Sequence, residues 1–216
     1  MTGKTVSSGK NSISGLQAGP QLLGGRLAVD FANTPSYPGT PSGDLSWEHL
    51  VLFLEAARVV SRERGLSLLA LAQNDPQAAN EILSRAMRLR GGLRGAFGAL
   101  VRNERIASQW VEPINEVLRI TEGHDELVLD ATGWKLEFIA REAGADWLLA
   151  AIARSAAEIL TEGVKARVRR CANPACGLFF CDQSKTQRRR WCSMAICGNR
   201  HKVASFAKRR SNEARK

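Results

Sequence analysis

The chain has 216 residues, 44% of them apolar, which is enough for one large domain or for a medium domain with a small appendage. No apolar run reaches the roughly 18 residues of a membrane-spanning helix, and the first 20 residues lack the apolar stretch of a secretory signal. We therefore expect a cytoplasmic protein with no membrane partner. Five cysteines in such a reducing compartment indicate metal or redox chemistry rather than disulfides.

The net charge of +10 is concentrated near the C-terminus. Residues 165–216 hold 15 Lys and Arg against two acidic residues, a net charge of +13, whereas residues 1–164 hold 16 basic and 19 acidic residues, a net charge of −3. Such an asymmetry is typical of a surface that binds a polyanion. A charged tail that only improves solubility is the alternative interpretation.

The N-terminal third combines polar segments with two apolar ones. Residues 1–21 are rich in Ser, Gly and Lys, which predicts a disordered lead-in. Residues 24–34, GGRLAVDFANT, alternate apolar with smaller or polar side chains, which predicts a short strand or a buried N-terminal segment. Residues 35–44, PSYPGTPSGD, read as a loop.

Helical periodicity follows. Ser46 is a candidate N-cap for a helix that we expect to end at Gly65, and Asp75 with Pro76 begins a long helix that reaches Leu100. Four glycines between residues 91 and 98 either weaken and bend this helix or allow another helix to pack closely. A shorter helix is predicted over 111–120.

After residue 120 the spacing of the apolar residues changes from helical to alternating. Apolar residues alternate on both sides of Thr132-Gly133, which predicts a β-hairpin, and helical spacing returns over 148–159 until Gly163. The predicted fold class is therefore mainly α with a small antiparallel β element, followed by a small C-terminal four-cysteine zinc-finger module built from a knuckle or hairpin plus a helix. The expected divisions are a lead at 1–21, a helical domain at 22–163, a finger at 164–210 and a basic tail at 211–216.

Four of the five cysteines form two C-x4-C pairs separated by 15 residues: Cys171, Cys176, Cys192 and Cys197. Four thiolates suit a tetrahedral zinc ion, so we predict one Zn2+ per chain. A closed shell of four sulfurs leaves no open position for catalysis, so we do not expect an enzyme.

Residues around the pairs predict how the module folds. Pro174 and Gly177 would turn a knuckle, GLFFCD at 177–182 would form a strand, and Ser193 would cap a helix running towards Arg210. Cys181 lies outside the pairs and is predicted to be a small buried hydrophobe, with a redox-sensitive thiol as the alternative. His201 also lies outside them and is predicted to contact solvent or phosphate.

Basic and amide side chains around the second pair are the candidate nucleic-acid contacts. Asn199 and Arg200 are the residue types that read adenine and guanine edges, although Asn199 equally suits a backbone cap beside the metal. The aromatic residues Phe179, Phe180 and Trp191 are predicted to form a mini-core rather than a base-stacking platform. The candidate contacts are Arg188, Arg189, Arg190, Asn199, Arg200, Lys202, Lys208, Arg209 and Arg210.

The segment WCSMAICGNRHK, preceded by CANPACGLFF and by Asp182 and Ser184 in D-x-S spacing, resembles the CGNR zinc-finger family. GGRLAVDFANT, with the helical residues behind it, resembles the ABATE domain that usually precedes this finger, so the resemblance covers residues 22–210. It implies a zinc-binding, DNA-binding bacterial transcription regulator associated with stress. It also implies that the two C-x4-C pairs are the metal ligands and that Cys181 is not one.

Alternative functions remain open at the sequence level: an RNA-binding protein, a thiol–zinc redox switch and, least favoured, a zinc-containing nuclease. The N-terminal domain is a candidate sensor of a small-molecule effector or a homodimerisation module. We expect an effector pocket near residues 35–44 and 91–98, unless the glycines serve helix packing instead.

Overall fold

A computed structural model describes residues 20–34, 45–130, 133–141 and 146–213. Short 3-10 turns at Asp146–Leu149 and Gly163–Ala166 and a π-helical turn at Met194–Gly198 supplement the main elements. Among the described residues, no helix is long and apolar enough to cross a bilayer. The main elements are α1 (Leu27–Ala32), α2 (Trp47–Ala56), α3 (Arg62–Asn74), α4 (Pro76–Arg102), α5 (Ser108–Ile120), β1 (Gly123–Asp130), β2 (Gly133–Ala140), α6 (Ala150–Glu162), β3 (Val168–Arg170), β4 (Phe179–Cys181) and α7 (Asn199–Glu213).

This architecture confirms the predicted fold class: the described residues are mostly helical, with two small antiparallel sheets, β1–β2 and β3–β4. The apolar face of α4 is the centre of the N-terminal core, and Leu89, Leu93 and Phe97 on it are fully buried. Helices α1, α2, α3 and α5 all pack against α4. The predicted hairpin is present as β1–β2, with Leu129 opposite Trp134.

The strand predicted for residues 24–34 is wrong, because residues 27–32 form the helix α1. The alternative of a buried segment is right: Ala28, Val29, Phe31 and Ala32 are all fully buried. Because five of the six residues of α1 are buried, the helix has no polar face. The order of apolar and polar residues in the sequence therefore could not distinguish a helix from a strand here.

Helix boundaries follow the side-chain caps. The predicted cap at Ser46 is confirmed, since its hydroxyl accepts a hydrogen bond from the His49 backbone N–H at 3.2 Å. The predicted helix end at Gly65 is wrong: α2 ends at Ala56, and Ser61 caps a new helix that includes Gly65. The start of α4 is confirmed, because the Asp75 carboxylate accepts from the Ala78 N–H at 3.0 Å.

The glycines of α4 do not interrupt the helix, which runs unbroken for 27 residues, and two of them allow α5 to pack closely. A Cβ atom on Gly95 would lie 2.2 Å from Trp110 Cδ2, and one on Gly92 would lie 2.8 Å from the Trp110 carbonyl oxygen. The packing interpretation is therefore confirmed. At Gly92 and Gly95, α5 fills the space in which a pocket was predicted, and residues 35–44, the other side of that predicted pocket, lie outside the described part of the chain.

The cysteine-rich segment is joined to the helical domain through α1. The Asn33 side chain donates to the Phe179 carbonyl and accepts from the Phe179 N–H, both at 2.9 Å. The Cys181 N–H donates to the Gly24 carbonyl at 2.7 Å, and the Phe179 ring meets Phe97 edge to face at 6.1 Å. Strand β4 is thereby fixed to the N-terminal core.

Two alanine substitutions in α4 test the packing role of its glycines. Gly95→Ala should lower the free energy of unfolding by about 1–3 kcal/mol, because the Trp110 ring must move. Gly91→Ala is the matched control: no atom lies within 4 Å of its Cβ position, so the better helix propensity of alanine should stabilise the protein by about 0.5–1 kcal/mol. Denaturant unfolding measures both, and stabilisation by both substitutions would contradict close packing at Gly95.

Asp30 is a buried carboxyl that holds the turn before α1. Its Oδ1 accepts from the Gly24 N–H at 2.6 Å. Burial raises the pKa of Asp30 to about 6, although backbone hydrogen bonds from residues 23–25 and the charge of Arg189 oppose that shift. Its stabilising contribution is therefore fully present below the ordinary pKa of 3.8 and is lost as pH rises through about 6.

Asp30→Asn keeps an oxygen acceptor for the Gly24 N–H and removes the buried charge. We expect this variant to be more stable than the wild type by about 2 kcal/mol at roughly pH 7.5, and we expect the difference to shrink towards roughly pH 5. Denaturant unfolding of both proteins across this range measures the difference. Asp30→Ala lacks the acceptor and should not be more stable than the wild type. If the stability difference between Asp30→Asn and the wild type did not change with pH, Asp30 would not have the raised pKa.

Candidate metal centre

The two C-x4-C pairs bring four buried sulfur atoms together. The Sγ atoms of Cys171, Cys176, Cys192 and Cys197 all lie within 4.8 Å of one another. Cys192 Sγ is 3.5 Å from Cys176 Sγ and 3.7 Å from Cys197 Sγ. Zinc–sulfur bonds of about 2.3 Å in a tetrahedron require sulfur–sulfur distances of about 3.8 Å. These residues therefore fit one zinc ion with a complete shell.

The first pair lies on a knuckle between β3 and β4, as predicted. The Cys171 N–H donates to the Leu178 carbonyl at 2.8 Å, and the Cys176 N–H donates to the Asn173 carbonyl at 2.9 Å. Gly177 has a φ of +68°, a conformation that glycine adopts without strain. The knuckle consequently brings the sulfurs of Cys171 and Cys176 close together.

The second pair lies at a helix start. The Ser193 hydroxyl accepts from the Ile196 N–H at 3.3 Å, which confirms the predicted cap, and the π-helical turn that holds Cys197 leads directly into α7. The Asn173 amide donates to Cys197 Sγ at 3.5 Å, and the Cys192 N–H donates to Cys171 Sγ at 3.4 Å. Both hydrogen bonds cross between the pairs, and the one from Asn173 opposes the rise in the pKa of Cys197.

Electrostatics explains why this cluster needs a cation. Burial raises the pKa of Cys192, and the neighbouring thiols raise it further; burial likewise raises the pKa of Cys197. Without a metal ion, the thiols of Cys192 and Cys197 are therefore harder to ionise than ordinary cysteines. A bound zinc ion reverses that balance and deprotonates its ligands.

Asp182 is a buried carboxylate that orders the loop between the pairs. It accepts from the Ser184 hydroxyl at 2.6 Å and from the Arg189 N–H at 3.1 Å, and the Arg169 guanidinium lies 3.1 Å away. Burial would raise the pKa of Asp182, but the hydrogen bonds from Ser184 and Arg189 and the charge of Arg169 together lower it. The D-x-S motif is thus the structural support of residues 182–189.

Arg189, a predicted nucleic-acid contact, is directed inwards. Its guanidinium donates to the carbonyls of Trp191 at 3.0 Å, Leu23 at 3.1 Å and Cys192, and it lies 4.4 Å from the centre of the Phe180 ring. It therefore ties the N-terminal domain to the backbone of a metal ligand. The sequence could not reveal this role, because Arg189 is the middle residue of an arginine triplet.

The other predicted contacts with described side chains lie on the surface. Asn199 donates from Nδ2 to the Ala195 carbonyl at 3.0 Å, which favours its role as a backbone cap. The side chains of Lys208 and Arg209 lie outside the described part of the chain. The exposed residues are Arg188, Arg190, Asn199, Arg200, Lys202 and Arg210.

A groove of about 350 Å³ is lined by residues that flank the first cysteine of the second pair. Arg190 is stacked 5.4 Å from the Trp191 ring, and the exposed His201 ring lies 4.8 Å from it. The groove thus brings together basic and aromatic side chains. It is lined by Arg188, Arg189, Arg190, Trp191 and Met194.

The predicted aromatic mini-core is divided between two places. Phe180 packs among the ligand cysteines, Phe179 enters the N-terminal core, and Trp191 is only half-buried. Cys181 is buried in the N-terminal core, outside the sulfur cluster, which confirms its prediction as a small buried hydrophobe. Burial raises the pKa of Cys181 to about 11.

Comparison with protein families agrees with these observations. Residues 25–163 match the ABATE family, whose description is "Putative stress-induced transcription regulator". The chain belongs to the ABATE family. Residues 167–210 of this ABATE protein match the CGNR zinc finger, which contains all four clustered cysteines. No curated protein matches the sequence.

The metal assignment predicts a selective effect of cysteine substitution. The wild type and Cys181→Ala should each bind one zinc ion per chain, whereas Cys192→Ser should lose stoichiometric binding, because Cys192 is central to the sulfur cluster. Zinc content after gel filtration measures this, and cobalt substitution should give a tetrathiolate charge-transfer spectrum. Metal loss in Cys181→Ala or full retention in Cys192→Ser would refute the ligand set.

Proposed function

We propose that this protein is a transcription regulator whose CGNR zinc finger binds double-stranded DNA. The observation that carries the proposal is the basic surface formed by the arginine-lined groove and α7, beside the zinc ligands. Residues 165–216 carry a net charge of +13, and most described side chains of α7 are exposed. Such a concentration of positive charge attracts the phosphate backbone.

Helix α7 has the dimensions of a groove-reading helix. Its 15 residues span about 22 Å, and the major groove is about 12 Å wide, which admits an α-helix. Its first turn continues from the ligand Cys197, so zinc fixes the direction in which the helix leaves the module. Val203 and Phe206 are exposed among its basic residues, and such apolar groups contact thymine methyls.

The candidate contacts have different roles. We assign Arg188, Arg190 and Lys202 to phosphates and Arg200 to a phosphate or a guanine edge. Lys208, Arg209 and Arg210 extend the basic charge along α7 by sequence. We assign Arg189 and Asn199 to the support of the backbone, because both donate to carbonyl oxygens within the protein.

The alternatives are less well supported. Four sulfurs complete a zinc shell, so we propose a structural zinc ion and no enzymatic activity. The four sulfurs are buried, which restricts access by oxidants and disfavours a redox switch. RNA remains an outcome of the binding experiment. A regulator that acts on chromosomal DNA would work in the cytoplasm, as the sequence suggests.

We propose that the ABATE domain controls the finger. The connection between Asn33 and Phe179 offers a route, since an effector that moves α1 would also move β4. The expected consequence is a change in the position of the cysteine knuckle and therefore in DNA affinity. A thermal-shift screen of metabolites on the zinc-loaded chain tests for such an effector.

Arginine substitutions on the groove test DNA binding. Arg188→Ala and Arg190→Ala should each weaken binding to duplex DNA by roughly 3–10-fold and reduce the log–log salt slope, expected at roughly −5 to −7, by about 1. Arg189→Ala should instead lower the melting temperature, because three backbone carbonyls lose their donor. Fluorescence anisotropy over a salt series measures affinity.

Arg105→Ala, an exposed arginine in the loop before α5, is the matched control for the lost charge and should bind DNA like the wild type. Equal affinities for Arg105→Ala and Arg190→Ala would contradict the groove assignment. Tighter binding to an RNA pool than to duplex DNA would favour the RNA alternative.

A further inference from the structure

The β1–β2 hairpin exposes an apolar face. Leu127 is 63% exposed, Leu129 62% and Trp134 69%. The register places Leu129 opposite Trp134 and Leu127 opposite Leu136, so these positions share one face by strand alternation. An isolated two-stranded hairpin is marginally stable in water, and a third strand or another covering element normally stabilises it. The hairpin therefore has the features of a docking element.

The negative charge of the hairpin restricts which partner could cover its apolar face. Residues 123–140 contain Asp125, Glu126, Asp130 and Glu137 but only Lys135 as a permanent cation, a net charge of −3. This charge repels DNA and anionic membranes. Residues 1–19 and 35–44, which lie outside the described part, are mostly Ser, Gly, Pro and other polar residues and offer little apolar surface. The occupant is therefore best sought among protein strands.

The sequence of β2 is complementary to itself. Its residues 134–138 read WKLEF, an aromatic, a cation, a leucine, an anion and an aromatic. Antiparallel pairing of two copies about Leu136 would place Lys135 opposite the partner's Glu137 and Trp134 opposite the partner's Phe138, each twice. Opposite charges and aromatic pairs facing each other across strands stabilise a sheet.

The alternative edge, β1, lacks this complementarity. Pairing two β1 strands about Leu127 would set Asp125 and Glu126 opposite apolar positions, and pairing about Val128 would set Glu126 opposite the partner's Asp130. Within one hairpin, the register already places Glu137 opposite Glu126, a like-charge pair. Lys135 of a second copy would supply an opposite charge beside Glu137.

We propose that β2 pairs antiparallel with β2 of a second copy around a twofold axis at Leu136, forming a four-stranded sheet. Within the described ranges the sheet contains only β1 and β2, which leaves the outer edge of β2 available. The pairing would form hydrogen bonds with the backbone N–H and C=O groups along this edge. It would also join the two apolar faces into one and make the interface isologous. The partner is thus a second copy of this chain, independent of what the finger binds.

Charge exchange within β2 tests the pairing. Light scattering on the zinc-loaded full chain should give about twice the chain mass of 23.6 kDa for the wild type. Lys135→Glu alone would place two like-charge pairs across the axis, and so would Glu137→Lys alone. Each single substitution should weaken dimerisation at least roughly 10-fold, and the double substitution should restore it to within roughly 3-fold.

Two controls separate pairing from folding. Glu137→Lys removes the like-charge pair with Glu126 inside the hairpin, so hairpin destabilisation cannot explain its effect. Glu126→Lys makes the same charge change on β1 and should leave the dimer intact. A wild type that is monomeric at about 100 µM, a dimer insensitive to either single substitution, or a double variant without rescue would each overturn the proposal.

Discussion

Strand β4 packs on both of its faces: Phe179 and Cys181 enter the core of the ABATE domain, whereas Phe180 enters the core around the zinc ligands. The alternation of side chains along a strand makes this possible in only three residues. Asn33 fixes the strand from the ABATE side by bonding both backbone groups of Phe179. The orientation of the finger relative to the helical domain depends on this shared strand.

Zinc binding and the packing of the two domains are therefore coupled energetically. Cys171 and Cys176 would hold a zinc ion beside β4, and the free energy of binding that ion would contribute to folding. Arg189 adds a second connection, since it joins the Leu23 carbonyl to that of Cys192. These two attachments would carry a change in the ABATE domain to the finger, as the proposed control of DNA affinity requires.

The charge distribution gives the molecule two surfaces that suit different kinds of partner. The finger is strongly basic, which suits a polyanion, whereas residues 123–140 carry a net charge of −3 beside an exposed apolar face. The negatively charged hairpin would repel a polyanion such as DNA, which the finger is proposed to bind. Each surface could therefore bind its own partner at the same time. A twofold pairing of hairpins would present two fingers to one DNA duplex and multiply a modest affinity.

The sequence by itself determined the local features: the zinc ligands from two C-x4-C pairs, the Ser193 cap, the β1–β2 hairpin and the long helix α4. Each depends on residues close together in the chain, whose spacing sets their geometry. Only the tertiary structure decided that residues 27–32 form a helix, that Gly95 receives Trp110 and that Arg189 points inwards. Those outcomes depend on contacts between distant segments, and a covered helix or an arginine triplet looks the same in sequence whichever segment packs against it.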